Sequence, residues 1–204
     1  QCLLANKPAW VAEELPTNDG AYWAPEFLDA KTIYYSVSSG FDAEESASCI
    51  GMLTATGTAP NLVWTDLGDP IACTFGDEEA EDPAPASIDP AAFVDEDGSR
   101  YLIYGGGHIY ITRLEDTGHI LGDWYEPDTA DHHHVANGPL VGKDGAALDE
   151  PDWIEAPFLA RHGGFYYLFV NWYACCSGTD STYEIRVGRG TSPLGPFLDK
   201  SGVD

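Results

Sequence analysis

The stretch from residue 154 to residue 172 reads IEAPFLARHGGFYYLFVNW, and it contains the pattern that decides the fold. An apolar segment with a proline leads into a Gly-Gly pair, and a tyrosine-rich apolar run follows at residues 165–172. A Gly-Gly pair between two such runs is typical of a β-hairpin. The stretch therefore predicts two antiparallel strands.

The same pattern occurs twice earlier, at residues 23–28 (WAPEFL) and 88–94 (IDPAAFV). The three prolines, Pro25, Pro90 and Pro157, are 65 and 67 residues apart. Each pattern is followed by further predicted strands, which are bounded by turn residues. These strands are 32–38, 49–55, 100–105, 108–114 and 183–188, with fourth strands at 63–66 and 195–198. The chain is thus an internal repeat of short strands.

A repeat of this length with four antiparallel strands is typical of a propeller blade, although the commonest blades have about 40–50 residues. The sequence predicts an all-β fold, with a single domain over residues 1–204 and blades at about 21–85, 86–152 and 153–204. Propellers usually close with about four to eight blades, so three blades predict an incomplete propeller. Its open blade edges predict self-association or pairing with another segment.

The composition excludes some classes of ligand. Acidic residues outnumber basic ones by 34 to 9, which gives a net charge of −25. Such a surface repels phosphate backbones and anionic lipids, so we expect no nucleic-acid and no membrane partner, whereas a neutral ligand is compatible with it. No apolar run is as long as a membrane span, and no signal peptide is visible after Gln1.

Five cysteines, an odd number, do not predict a disulfide framework, and their spacing does not match a zinc site. Cys175 and Cys176 are expected to lie on opposite faces of a strand rather than to form a vicinal disulfide. Residues 76–86 and 123–152 are expected to be solvated loops. The second loop includes three consecutive histidines, 132–134, which alternate in direction and are not predicted to bind one metal ion.

Two repeats carry an acid beside the proline, Asp89 and Glu155, and the first repeat has Ala24 at the corresponding place. Strand starts in a propeller gather around its central channel, so the two carboxyls are predicted to lie together. Paired carboxyls in an aromatic cleft are typical of glycoside hydrolysis, in which apolar neighbours keep one of them protonated. Trp153 and Phe158 are such neighbours of Glu155. The alternative is that both acids are turn or cap residues.

The chain resembles glycoside hydrolase family 43, and within it the arabinan endo-1,5-α-L-arabinanases. The resemblance rests on residues 163–196, 154–159, 87–90 and 23–25, and the Cys-Cys-Ser-Gly…Ser-Thr-Tyr segment is its most specific part. It implies a five-bladed propeller that hydrolyses arabinan or related arabinose- or xylose-containing plant polysaccharides with inversion. It also implies roles for six residues: Glu155 as general acid, Asp89 as pKa modulator, and Trp23, Trp172, Tyr173 and Cys175 as substrate-binding residues.

The chain departs from the family at the catalytic base, which the family carries in a His-Asp-Pro segment before the Trp-Ala-Pro motif. No Asp-Pro precedes Trp23, and Glu13, Glu14 and Asp19 lie in a loop-like stretch that does not match. We therefore expect the chain to correspond to blades two to four, with the base outside it and no activity of its own. Family members often bind a structural calcium or sodium ion through a central histidine. No metal ligand is identified in this chain, and no cofactor is expected.

Three functions from different classes remain open. The first is part of an inverting glycoside hydrolase with a neutral oligo- or polysaccharide as substrate, in a secreted, extracellular protein. The second is a non-catalytic carbohydrate-binding or remnant propeller that keeps the aromatic cleft. The third is an acidic β-rich interaction domain. Asp89 and Glu155 at similar points of two repeats favour the first two.

Overall fold

The computed structural model describes residues 3–4, 6–39, 47–75, 86–122 and 132–202. Strands dominate these ranges, and every strand pairing is antiparallel. Helix is limited, in the part of the chain that is described, to α1 (Ala9–Glu14) and a 3-10 turn (Gly178–Asp180). The all-β prediction is confirmed. None of the described helices is long and apolar enough to cross a membrane.

The first sheet has five strands rather than the predicted four. Its strands are β1 (Tyr22–Asp29), β2 (Thr32–Ser38), β3 (Ala47–Thr58), β4 (Asn61–Asp66) and β5 (Ala72–Phe75). The order is β1-β2-β3-β4, and β5 pairs with β3. Because β3 has twelve residues, its outer edge pairs with β4 at one end and with β5 at the other. A disulfide between Cys49 and Cys73 joins β3 to β5, although the cysteine count predicted no such framework.

The second sheet has four strands in sequence order. They are β6 (Ala91–Val94), β7 (Arg100–Tyr104), β8 (His108–Leu114) and β9 (His132–Asn137). The prediction of a solvated loop is wrong for β9, because this segment pairs with β8 and completes the sheet. His132 is buried, and its ring packs against Tyr104 and Tyr110. Residues 76–85 and 123–131 of the predicted loops lie outside the described residues.

The third sheet has three strands, β10 (Ile154–His162), β11 (Phe165–Trp172) and β12 (Glu184–Gly190). The fourth strand predicted at residues 195–198 is wrong, since only a single bridge joins Leu198 to Arg189. Pro196 has no amide hydrogen to donate to a strand ladder, which explains why the pairing does not extend.

The three sheets pack face to face in sequence order. One apolar cluster joins the first sheet to the second, and it includes Tyr34, Met52, Leu102 and Tyr110. Another cluster joins the second sheet to the third, and its members include Ile103, Ile109, Leu159, Leu168 and Val170. Contacts between β1 and β6, and between β6 and β10, place the first strands of the sheets side by side. This is how propeller blades pack around a channel.

The helix α1 covers the outer face of the first sheet. Trp10 and Val11 are buried there, and Trp10 Nε1 donates to Asp66 Oδ1 at 3.0 Å. The hydroxyl of Tyr35 donates to the other oxygen of Asp66 at 2.5 Å. Glu13 and Glu14 are therefore the exposed end of a helix, not a loop as expected.

Candidate active site

The residue before the proline has the same unusual backbone conformation in all three repeats. The φ angle is 44° at Ala24, 52° at Asp89 and 50° at Ala156. Residues other than glycine seldom adopt this left-handed region, and those that do cluster at functional sites. The pairing register also shifts here in β1 and β10, so each of these strands contains a bulge. The three residues therefore mark equivalent positions of the repeat.

This equivalence corrects the alignment of the two acids by one residue. Asp89 corresponds to Ala24 and Ala156, whereas Glu155 precedes the left-handed residue and corresponds to Trp23. The offset is already present in the sequence, because Asp89 is next to Pro90 whereas Ala156 separates Glu155 from Pro157. The two carboxyls still lie on neighbouring first strands, as the repeat predicts.

Asp89 is half-buried and bonds to both neighbouring sheets. Its N–H donates to Ser36 Oγ at 2.9 Å, and its Oδ2 accepts from Ala156 N–H at 3.1 Å. Burial, followed by the negative charge of Glu155, raises the pKa of Asp89 to about 6 against the lowering effect of the Ala156 N–H. Asp89 and Glu155 are thus close enough for their charges to interact.

Both carboxylate oxygens of Glu155 accept a hydrogen bond from an aromatic side chain. Trp153 Nε1 donates to Oε2 at 2.6 Å, and the hydroxyl of Tyr183 donates to Oε1. Burial, and then the hydrogen bond to Glu155 and the charges of Glu155 and Asp89, raise the pKa of Tyr183. The hydroxyl therefore keeps its proton and remains a donor over the range in which carboxyls titrate.

A run of glycines in the second sheet makes room for Trp153. A Cβ on Gly106 would lie 2.7 Å from Trp153 Cζ2, closer than side chains approach one another. The N–H of Gly107 donates to the carbonyl oxygen of Ile154 at 2.9 Å, which ties this turn to the start of β10. The position of the Trp153 ring, and hence of its N–H, depends on the absence of a side chain at residue 106.

Two of the predicted substrate-binding residues, Trp23 and Trp172, lie on the first and the third sheet. Trp23 lies opposite Ser36 and is 38% exposed. Trp172 lies opposite Ile154 and is half-buried. The guanidinium of Arg186 lies 4.6 Å from the centre of its ring.

Tyr173 is packed into the wall of the site. It is only 6% exposed, and its hydroxyl donates to the carbonyl oxygen of Val141 at 2.9 Å. The ammonium of Lys143 lies 5.0 Å from the centre of its ring. The ring face of Tyr173 is therefore already covered by protein.

Cys175 and Cys176 form a vicinal disulfide, so the prediction of two unpaired strand residues is wrong. The strand β11 ends at Trp172, and the cysteines lie in the loop that leads to β12. Cys176 has a φ angle of 68°. The two side chains do not alternate in direction as they would along a strand, because the chain leaves the extended conformation at Tyr173, whose φ angle is 69°.

An apolar cavity of about 550 Å³ lies away from the two acids. It is between the first sheet and the segment before α1, and its walls include Leu4, Tyr22, Trp23, Tyr35 and Leu53. The paired carboxyls, not this cavity, define the candidate site. Within the described ranges, no group of three or more His, Cys, Asp or Glu side chains is arranged to hold a metal ion.

Sequence reasoning missed Ser36, Tyr183 and the role of Trp153. Trp153 and Glu155 are two residues apart at a strand start, and the period of a strand could have placed them on one face. Ser36 is one of three serine or threonine residues in β2, so the sequence of the strand does not distinguish it. Tyr183 is the tyrosine of the Ser-Thr-Tyr segment, but its contact with Glu155 depends on the path of the loop between β11 and β12.

Comparison with known proteins connects this geometry to one family. The family described as "Glycosyl hydrolases family 43" matches residues 4–204. The extracellular exo-α-(1→5)-L-arabinofuranosidase ArbA of Cellvibrio japonicus is 31% identical, over 97% of this chain and 56% of the relative. The extracellular endo-α-(1→5)-L-arabinanase 1 of Bacillus subtilis is 34% identical, over 95% of this chain and 54% of the relative.

A solved structure shows the same fold. The α-L-arabinanase of Cellvibrio cellulosa, complexed with arabinohexaose, superposes with a TM-score of 0.74 at 27% identity. The match covers 100% of this chain and 63% of that one. The chain thus spans about half the length of the two curated relatives and under two thirds of the solved chain.

Proposed function

The chain belongs to family 43 of the glycosyl hydrolases, and we propose that it supplies the general acid of an inverting, arabinan-degrading active site. Its sheets are blades of that family's five-bladed propeller. Both curated relatives are named for action on α-(1→5)-L-arabinan linkages, and the solved relative binds arabinohexaose. The observation that carries the proposal is that Asp89 and Glu155 lie together at the starts of neighbouring sheets, where Asp89 Oδ2 accepts from the N–H of Ala156, the residue after Glu155.

In the proposed reaction, Glu155 donates a proton to the leaving oxygen of the glycosidic bond. Asp89, whose pKa is raised to about 6 by burial and by Glu155, modulates the proton affinity of its neighbour through their mutual repulsion. Inversion also needs a base that activates water on the opposite face of the sugar. We assign this base to a segment outside the chain, because no Asp-Pro pair precedes Trp23.

The candidate substrate-binding side chains differ in how much of each is exposed. Trp23 is 38% exposed, and we assign to its indole the stacking against the C–H face of a sugar. Trp172 and Cys175 are half-buried and form the margin of the site. Tyr173, at 6% exposure, supports this wall from behind rather than stacking on the substrate.

Several general properties belong to the same proposal. Residues 1–204 form a single incomplete catalytic propeller domain, with blades at about 21–85, 86–152 and 153–204. The partner is a neutral arabinose- or xylose-containing polysaccharide, without a cofactor, and the open blade edges permit self-association. Secretion is supported by the names of the relatives and by two disulfides, which persist in oxidising compartments.

One substitution tests the proposed chemistry. In the complete protein that contains this chain, Glu155→Gln keeps the shape and the hydrogen-bond acceptor but cannot donate a proton. We expect hydrolysis of debranched arabinan to fall by about 10²–10⁴-fold. The loss should be much smaller for an aryl arabinoside whose leaving group needs no protonation. Sugar release is measured for both substrates.

The exposed acid Glu150, on the loop before β10, provides the matched control, and Glu150→Gln should leave both rates unchanged. Equal losses on both substrates in Glu155→Gln would assign Glu155 a structural role instead. The 204-residue chain by itself is expected to release no sugar above background.

A non-catalytic carbohydrate-binding propeller is the second candidate. It is favoured by the fact that both acids already make structural hydrogen bonds, Asp89 to Ala156 N–H and Glu155 to two aromatic donors. Arabino-oligosaccharide binding by calorimetry, without hydrolysis by the complete protein, would support this candidate and contradict the first.

A further inference from the structure

The two donors to Glu155 differ in whether they can also accept a hydrogen bond. An indole N–H can only donate, so Glu155 Oε2 must act as an acceptor for Trp153 whether the carboxyl is ionised or neutral. A phenol can donate or accept, so Tyr183 tolerates a proton on the oxygen that it contacts. Oε1 is therefore the oxygen on which Glu155 can carry its proton with the least disturbance to the site.

Both donors are held by their surroundings before any substrate arrives. The backbone N–H of Trp153 donates to Asp152 Oδ1 at 2.7 Å, and the indole ring lies in the space left by Gly106. On the other side, Ala174 and Thr182 exchange backbone and side-chain hydrogen bonds of 2.9 and 3.3 Å across the neck of the loop that ends at Tyr183. The loop inside this neck is short, and the vicinal disulfide constrains it further.

We propose that Tyr183 and Trp153 are positioning residues, which orient the Glu155 carboxyl and whose removal changes the pH range over which it can donate its proton. This inference rests on the proposed function, in which Glu155 is the general acid. Both hydrogen bonds favour the ionised carboxylate over the neutral acid. Removing either donor leaves the protonated form populated to higher pH, although the carboxyl is then less well oriented.

The first test uses Tyr183→Phe in the complete protein, with kcat/KM for arabinan measured from pH 4 to pH 9. We expect the alkaline limb to move up by about one pH unit, because the ionised carboxylate has lost a hydrogen bond. At the optimum, kcat should fall by about 10-fold with little change in KM, because orientation and not substrate affinity is impaired.

A second variant tests whether the position of the Trp153 ring matters when both hydrogen-bond donors are still present. Gly106→Ala retains both donors but crowds the Trp153 ring, and residue 106 does not have a positive φ angle that alanine would strain. The alkaline limb should again move upward. Gly51→Ala is the matched control, because its Cβ would crowd the Tyr35 ring at 2.4 Å on the first sheet. It should lower stability without moving the limb.

Tyr166→Phe is the control for the loss of a phenol that binds a carboxylate, since Tyr166 donates to Asp95 at the outer turn of the second sheet. It should leave the pH profile unchanged. The proposal is overturned if the alkaline limb of the pH profile does not move in Tyr183→Phe, or if it moves equally in Tyr166→Phe.

A readout without substrate distinguishes this inference from the proposed function. The Glu155 carboxyl is followed by carbon-13 NMR as pH is varied, with its signal assigned by Glu155→Gln. The titration midpoint should be higher in Tyr183→Phe by about one unit. A shifted midpoint in a protein that hydrolyses nothing would reject the proposed function alone. An unshifted midpoint in an active enzyme would reject the positioning role alone.

Discussion

Asp89 combines two costly features, a left-handed backbone and a half-buried carboxyl beside another acid. Its φ angle is 52°, and burial together with the charge of Glu155 raises its pKa to about 6. A carboxyl whose pKa is higher in the folded than in the unfolded chain binds its proton more tightly when folded. The folded state is therefore stabilised at low pH, and this stabilisation is lost as the pH rises from the ordinary value of 3.8 to about 6.

Asp89→Asn should remove this pH dependence while keeping an acceptor for the Ala156 N–H. At pH 7.5 we expect the variant to be more stable than the wild type by up to about 3 kcal/mol, and at pH 4 by far less. Urea unfolding at the two pH values measures the difference. A gain of the same size at both values would show that the left-handed preference of asparagine, and not the charge, is responsible. Asp149→Asn, on an exposed loop, serves as the control.

At this scale the sequence predicted which acids meet but not how they are held. Asp89 and Glu155 could be found because the repeat spacing places both near a strand start. Their one-residue offset is visible once the repeats are aligned on Pro90 and Pro157, but its effect on side-chain direction is not, because that depends on a bulge in β10. Tyr183 could not be found either, since a loop and not a regular element brings it to Glu155.

The outer turns of the sheets also bind the next sheet in sequence. Asp95, in the turn between β6 and β7, accepts hydrogen bonds from Arg161 at 2.6 Å and from the hydroxyl of Tyr166 on the third sheet. Asp29, the last residue of β1, has its Oδ2 atom 3.5 Å from Nη1 of Arg100 in the second sheet. Burial alone would raise the pKa of Asp95, but these hydrogen bonds and that of Glu96 N–H outweigh it and lower the pKa.

Asp95→Asn should weaken the joint between the second and third sheets. The side chain is only 8% exposed, and we expect a loss of about 1–3 kcal/mol in the free energy of unfolding at pH 7. Because the pKa is lowered in the folded state, the wild type loses the same contribution as the pH falls below 3.8, and the difference should shrink there. Urea unfolding at pH 7 and pH 3 is the measurement.

Glu96→Gln is the matched control for this joint. Glu96 also contacts Arg161, but its side chain is 81% exposed, so the substitution should cost less than about 1 kcal/mol. A cost for Glu96→Gln as large as that for Asp95→Asn would mean that general charge attraction, and not the buried hydrogen bonds, joins the sheets.

The bounds of strands rich in residues that favour β structure were predicted closely, whereas one strand that is poor in such residues was missed. The tyrosine-rich strands β2 and β11, and β8, have the predicted bounds. By contrast, β9 is made of three histidines, Val135, Ala136 and Asn137, and it has little intrinsic strand preference. It is a strand because β8 offers a free edge and because Tyr104 and Tyr110 pack against His132.

The whole molecule carries a charge that should affect stability and substrate binding differently. A net charge of −25 repels itself in the compact state, and dissolved salt screens this repulsion. Raising NaCl from about 0.02 to 0.5 M, at which the Debye length falls to about 4 Å, should stabilise the fold by about 1 kcal/mol, or about 2–4 °C in Tm. Affinity for a neutral arabino-oligosaccharide should change by less than about twofold.

Calorimetric scans and binding titrations at matched pH measure these two effects. Choline chloride at equal ionic strength should stabilise to the same extent as NaCl, because screening does not depend on the identity of the cation. A strong loss of oligosaccharide affinity with salt would contradict the assignment of a neutral ligand.

The left-handed residues limit which side chain of the second sheet can accept a hydrogen bond from the third sheet. In the second and third sheets the amide of the left-handed residue donates to a side chain of the sheet before it: Asp89 N–H to Ser36, and Ala156 N–H to Asp89. The second-sheet position that corresponds to Ser36 is Gly105, where a Cβ would lie 2.0 Å from the carbonyl oxygen of His108. A serine at residue 105 therefore could not accept the hydrogen bond of the Ala156 amide. Asp89 therefore accepts the hydrogen bond that fastens the second sheet to the third, and an asparagine in its place would keep this acceptor while removing the charge.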